Sequence, residues 1–236
     1  MAFQEKALDQ SDRDFLAGAL LDGWYAPSLR NDHNVGLARW SEGDIAAFLR
    51  KGRNQHGIVY GSMMEAFNNS TQYMTDGDLA GIAHYLKSLP GNEPENGPKW
   101  AYDNATTSEL NAGDIAEPGA ALYIKQCSYC HGRDGKGRGE YLPPLAGASS
   151  LLADESDSVI NIVLNGAGRV ISNGVPDSYR MPQFRVILSD REIAEIASFV
   201  RSSWGNKGAP VTEAQVRALR DKTDPMSDEV IVLKMR

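Results

Sequence analysis

Cys127-Ser128-Tyr129-Cys130-His131 is the stretch of this 236-residue chain whose residue types and spacing could do chemistry. It reads C-x-x-C-H, the attachment signature of a c-type haem. Two thiols a short helical turn apart can each form a thioether to one haem vinyl group. The adjoining histidine then lies under the iron as its proximal ligand. Cys127 and Cys130 are the chain's 2 cysteines, so any covalently held cofactor would be attached here. Three rival readings remain. A dithiol redox site lacks the surrounding βαβ pattern. A zinc site needs a second ligand pair, and His33, His56 and His84 stand far off without ligand spacing. A disulfide would close a tiny loop and stabilise little. The motif favours haem over these.

The bulk of the chain narrows what the site serves. Length allows one large or two small domains. The formal charge of -7 argues against a nucleic-acid partner, which favours a basic patch. Hydrophobic content of 42% supports a buried core, and no apolar stretch is long enough to cross a bilayer. Met1 to Asp9 holds no apolar signal core, although haem attachment to C-x-x-C-H occurs outside the cytoplasm. The expectation is a fragment or processed form of an exported protein, or a misplaced start.

The elements that would position the motif are mainly helices. Residues 11–23 read as a short helix or irregular start, with Leu16, Leu20 and Leu21 on one side, and Trp24 to Leu29 as extended chain. Ser41-Glu42-Gly43-Asp44 resembles a capping box and is followed by Ile45, Phe48 and Leu49 at helical spacing, ending near Gly52. Thr75 to Asp78 opens a second helix, with Leu79, Ile82, Ala83 and Leu86 inward and Pro90-Gly91 as its stop. Residues 91–114 read as a linker that follows Pro90: Pro94 and Pro98 with Asn and Gly, and Trp100 and Tyr102 packing on a neighbour. A helix from Pro118 runs into Cys127, and a glycine-rich loop follows over 132–139. Further helices are expected around Val159 to Leu164 and from Ser189 to Trp204.

These helices repeat. Residues 76–88 align with 190–202, and 45–52 with 159–166, at the same offset. Pro27-x-Leu29 answers Pro143-x-Leu145, and Met63 answers Met181 approximately. The N-terminal part therefore repeats the later helices of the motif-bearing module without a C-x-x-C-H of its own.

Pro118 to Trp204 resembles a class I cytochrome c domain. Gly119 and Tyr123 stand where that family has a glycine and an aromatic on its first helix, crossing the pair matched by Ile196 and Phe199. Pro143-Pro144-Leu145-Ala146-Gly147 matches the family's Pro-x-Leu-x-Gly, which implies that the Pro143 carbonyl accepts the hydrogen bond of the proximal His131. Met181, before a proline and between the motif and the last helix, is expected to be the sixth ligand; its plain alternative is a core methionine. Met63 is expected to be a buried methionine without haem, and the three other histidines surface or hydrogen-bonded residues. Arg180, Tyr179 and Trp204 are weaker candidates for haem propionate contacts.

Most of residues 23–206 is similar to the C-terminal part of the triple-haem cytochrome c subunit of bacterial membrane-bound alcohol, aldehyde or gluconate dehydrogenases. Gly23-Trp24-Tyr25-Ala26-Pro27, Arg39-Trp40-Ser41, Ser70 to Thr75, Tyr85 to Pro90 and Arg201 to Asn206 carry the likeness. That family has three C-x-x-C-H motifs and this chain has one. The expected fold is mainly α: a class I cytochrome c domain over 115–206, preceded by an incomplete repeat over 1–90 and a linker over 91–114, with a C-terminal extension over 207–236.

The resemblance implies an electron carrier rather than an enzyme. One covalent haem c, its iron held by His131 and Met181, would take electrons from a quinoprotein or flavoprotein dehydrogenase subunit and pass them to ubiquinone or another cytochrome. The expected place is the periplasm, on the membrane through the complex and without a transmembrane helix. The alternative is a haem peroxidase or gas sensor with five-coordinate iron. The N-terminal repeat, lacking a first helix and a haem, would leave Leu29, Phe48, Leu49, Tyr60 and Met63 around a hollow. It is therefore expected to be loosely packed beside Met63, or collapsed and docked on the haem module.

Overall fold

The computed structural model describes residue 9 and residues 12–92 and 98–226. The reading of Met1 to Asp9 as lacking a signal core lies, except for Asp9, outside the described residues. So do Pro94 of the expected linker and the end of the C-terminal extension.

Among the described residues the fold is mainly α, with three two-stranded antiparallel ribbons. β1 (Ala19–Leu21) pairs with β2 (Trp24–Ala26) across Asp22-Gly23, both at positive φ, 50° and 77°. This Asp-Gly hairpin stands where a helix or irregular start was expected, and Leu20 and Leu21 face solvent.

α1 (Glu42–Lys51) begins at a capping box of Ser41 with Asp44 and stops at Gly52, φ 70°. A ribbon of β3 (Arg53–Asn54) and β4 (Gly57–Ile58) follows. Next come α2 (Ser62–Asn69) and α3 (Asp76–Ser88), the latter capped by Thr75 with Asp78. Leu37, Ile45, Ala83, Leu86 and Leu89 form a small core between α1 and α3.

The stretch expected as a linker contains α4 (Ala105–Ala112), pinned by Leu110, 2% exposed. α5 (Ala120–Gln126) and α6 (Ser128–His131) are separated by Cys127, whose φ of -121° breaks the helix. α7 (Ser149–Leu152), α8 (Asp157–Asn165), a ribbon of β5 (Ile171–Ser172) with β6 (Val175–Pro176), and α9 (Asp190–Ser202) follow. Beyond them, α10 (Glu213–Lys222) lies in the expected extension and docks by burying Val216 and Leu219.

The expected crossing of α5 and α9 is present. Gly119, at φ 89°, brings its backbone so close to α9 that a Cβ there would lie 2.2 Å from Glu195 O. Tyr123 then packs 5.4 Å from the Phe199 ring and 5.3 Å from Trp204, centroid to centroid. Burial of each such side chain contributes on the order of 1.5–3 kcal/mol, which makes this crossing the anchor of the main core.

The N-terminal half is docked on the motif-bearing half. Ser158 Oγ accepts from Tyr25 N–H at 2.9 Å and donates to Tyr25 O at 3.0 Å, and Asn161 donates to Gly23 O at 2.8 Å. The buried Tyr60 hydroxyl bonds Ser150 and Ser158, and Arg39 donates to Gly147 O. Val59, Met64 and Phe67 share a core with Val170 of the other half. Met64 fills that core, while Met63, expected buried, is 37% exposed.

Candidate functional site

α5 delivers the motif from inside the main core, because Tyr123 is fully buried one turn before Cys127. The break at Cys127 then starts the one-turn helix α6, which ends at His131 and Gly132. Cys127 and Cys130 are free thiols, both partly buried, while Tyr129 between them is 84% exposed. Burial, with the Cys130 charge adding to it, pushes the Cys127 thiol up to about 12. An activated thiolate is favoured by the opposite shift, so burial works against Cys127 as a redox thiol. Among the described residues no three His, Cys, Asp or Glu side chains converge as a metal cluster, and the zinc reading gains no second pair of ligands.

His131 is buried, and its Nδ1 lies 2.9 Å from Pro143 O. A carbonyl can only accept, so the proton is on Nδ1 and the lone pair of Nε2 is left for a ligand. Burial lowers the His131 pKa and the Pro143 bond only partly opposes that, so the ring is neutral at pH 7. A neutral imidazole of fixed tautomer is the form that binds iron.

The carbonyls after His131 are held by three aromatic side chains in succession. Tyr123 OH donates to Gly132 O, Trp204 Nε1 to Arg133 O at 3.0 Å, and Tyr102 OH to Asp134 O at 3.2 Å. Gly137 N–H returns to His131 O at 2.9 Å. Gly137 also passes against the Pro143 backbone, where a Cβ would meet Leu142 O at 2.0 Å. Trp204 is thus 1% exposed with its donor taken, which removes it from the propionate candidates. Tyr179 and Arg180 are exposed. The role of Tyr102 lay in the expected linker and had no signal beyond an aromatic in polar surroundings.

Met181 follows the β5–β6 ribbon. Its carbonyl accepts from Ala167 N–H at 3.0 Å, and its side chain is partly buried on the same main core as Cys127 and Leu145. His33 bonds Asn34, His84 faces Glu42 at the surface, and His56 stacks on Trp40 at 4.8 Å, so the three other histidines are engaged elsewhere. Two free thiols one turn apart, a neutral histidine with Nε2 available, and a thioether on the same core fit a covalent haem.

Residues 116–204 match the cytochrome c family. Over 230 residues the chain is 46% identical to the cytochrome c subunit of a quinone alcohol dehydrogenase from Gluconacetobacter polyoxogenes, covering 96% of this chain and 49% of that protein. It is 38% identical over 225 residues to the gluconate 2-dehydrogenase cytochrome c subunit of Pantoea cypripedii, covering 93% and 51%. It is 32% identical over 226 residues to the fructose dehydrogenase cytochrome subunit of Gluconobacter japonicus, covering 87% and 46%. The chain spans about half the length of the curated relatives it matches. Those relatives are named as cytochrome subunits of dehydrogenases, not as their catalytic subunits.

Proposed function

Residues 116–204 belong to the cytochrome c family, and from that premise we propose that the chain carries single electrons out of a dehydrogenase complex through one covalent haem c. The observation that carries this reading is the bond from His131 Nδ1 to Pro143 O beside two free thiols. Cys127 and Cys130 would hold the group by thioethers, and His131 and Met181 would ligate its iron. A haem held so supplies one-electron chemistry between Fe(III) and Fe(II), with no position open to substrate. Pro143 fixes the imidazole, and Tyr123, Trp204 and Tyr102 fix the backbone behind it, so little of the site needs to move when the charge changes.

The domain division supporting this role is an incomplete module over 1–90, a connection over 91–114, the haem module over 115–206 and an extension over 207–236. The names of the relatives support a dehydrogenase catalytic subunit as electron donor, which in this reading is a quinoprotein or flavoprotein. Ubiquinone or another cytochrome is the acceptor in this reading. Covalent attachment at C-x-x-C-H supports a periplasmic site, reached at the membrane through the complex; among the described residues no helix is long and apolar enough to cross a bilayer.

Expression with a haem-attachment system and a pyridine haemochrome assay tests the cofactor. One haem per chain is expected, and none would refute the reading. Met181→Leu should keep the haem but turn its ferric spectrum high-spin and lower its potential. A wild-type spectrum that is already high-spin would favour the five-coordinate peroxidase or sensor instead.

A further inference from the structure

The loop that carries Met181 is gripped by the N-terminal half, and one grip is ionic. Arg53, the first residue of β3, places Nη1 2.7 Å from Asp177 Oδ2, with side chains 11% and 7% exposed. So little exposure leaves the pair weakly screened by salt. The Arg53 guanidinium also lies over the Tyr141 ring, 4.3 Å from its centroid, and Tyr141 meets Tyr179 at 5.5 Å. Asp177 is fixed in turn: its N–H donates to Val170 O at 2.8 Å, and its Oδ1 accepts from Tyr179 N–H at 3.2 Å. Tyr141 stands just before Pro143 in the chain, and Asp177 one short turn before Met181. Arg53 therefore joins the approach to Pro143 to the approach to Met181.

A second, neutral grip lies on the ribbon before Asp177. Gln72, 5% exposed, donates to Ile171 O at 2.9 Å and accepts from Asn173 N–H at 2.8 Å. Asn68 accepts from Ile171 N–H at 2.8 Å and donates to Arg169 O at 3.0 Å. The neutral bonds hold the base of the loop. Arg53 is the N-terminal residue paired with its charged end.

We propose that Arg53 is a positioning residue for the sixth haem ligand: through Asp177 it holds the Met181 loop closed, so the haem-free half sets how readily Met181 leaves the iron. This rests on Met181 as the sixth ligand. Without Arg53, Asp177 is a buried carboxylate with no counter-charge, and opening the loop to water relieves it. An external ligand competes with Met181 only in the open form, so its apparent affinity reports the open fraction.

The test uses the haem-loaded full chain and imidazole as the external ligand. The variants are Arg53→Met, Arg53→Lys and the near-isosteric Asp177→Asn, with Lys87→Met as a control. Lys87 bonds Leu37 O within the N-terminal half, away from the loop. Imidazole affinity should rise by about tenfold or more in Arg53→Met and Asp177→Asn, on the scale of a broken buried pair. Arg53→Lys should restore part of it, and Lys87→Met should match wild type. A general loss of packing would not give that order. Affinities of Arg53→Met and Asp177→Asn within about twofold of wild type, a difference under 0.5 kcal/mol, overturn the proposal. If Arg53→Met fails to fold, Asp177→Asn decides alone. The far-red band of Met-ligated ferric haem separates the two levels: its absence from wild type, or its survival in Met181→Leu, overturns the ligand assignment and this proposal with it. Its presence with unchanged imidazole affinity overturns this proposal alone.

Discussion

Gly119→Ala tests whether the site stands on the crossing of α5 and α9. A Cβ at Gly119 would lie 2.2 Å from Glu195 O, 2.6 Å from Glu195 C and 3.0 Å from Phe199 Cβ. A relaxed carbon–oxygen contact needs about 1 Å more, so α9 must retreat or α5 must tilt. Either movement reaches Tyr123, which lies between Phe199 and Trp204 and holds Gly132 O. Two terms add. The left-handed backbone of Gly119 costs an alanine about 1–2 kcal/mol. Forcing an extra methyl into a filled core costs about 1–3 kcal/mol more.

Gly113→Ala separates those terms. Gly113 has a similar φ of 82°, but a Cβ there meets nothing within 4 Å. It should show the backbone term alone. Urea unfolding of the haem-loaded chain, followed by far-UV circular dichroism, gives both values. Gly119→Ala should be less stable than Gly113→Ala by about 1–3 kcal/mol. Equal losses, within about 0.5 kcal/mol, would refute the tight crossing and the argument that it supports the haem motif.

Two further outcomes follow from the same packing. Gly81 occupies in α3 the position of Glu195 in α9, and a Cβ there meets nothing within 4 Å; Gly81→Ala should stabilise the chain by about 0.5–1 kcal/mol in the same urea assay. Burial holds the His56 pKa below the ordinary value near 6.5, with Asp44 only partly opposing it. Between that folded value and about 6.5 the unfolded chain binds the extra proton, so stability falls as pH drops through this window, and His56→Phe should flatten that slope in unfolding measured against pH.

The sequence was legible where local chemistry decides structure. Ser41, Thr75 and Ser189 each precede an acid three residues on, and all three form capping boxes. The pair Gly119 and Tyr123 meets α9 as expected, and the Pro143 carbonyl meets His131. α10 has a capping box as well, at Thr212 with Gln215, but buries only Val216 and Leu219. It is held by distant partners: Arg220 Nε lies 2.6 Å from Asp190, and Arg185 donates to Thr223 O and Arg220 O. α4 has Leu110 as its single buried anchor, too little for a periodic signal. The Asp22-Gly23 turn was readable, but its strands are three residues long and show no alternation. The Arg53–Asp177 pair spans 124 residues of sequence, and no local rule reaches that far.

The N-terminal half repeats helices of the other half in sequence but holds no C-x-x-C-H motif of its own. Its α3 has a capping box and an inner apolar face as α9 does, but among the described residues its other face is open: a Cβ at Gly81 would meet nothing within 4 Å, and Tyr85 is 37% exposed. An empty haem pocket would be costly, since apolar voids destabilise in proportion to their volume. Here the apolar residues are divided instead between two small cores. Leu37, Ile45 and Leu86 close one between α1 and α3. Val59, Met64 and Phe67 close the other against Val170, on the chain that leads to Met181. The second core explains why Met64, not Met63, is the buried methionine. It also makes the packing of the half without a C-x-x-C-H motif part of what shapes the loop of the half that has one.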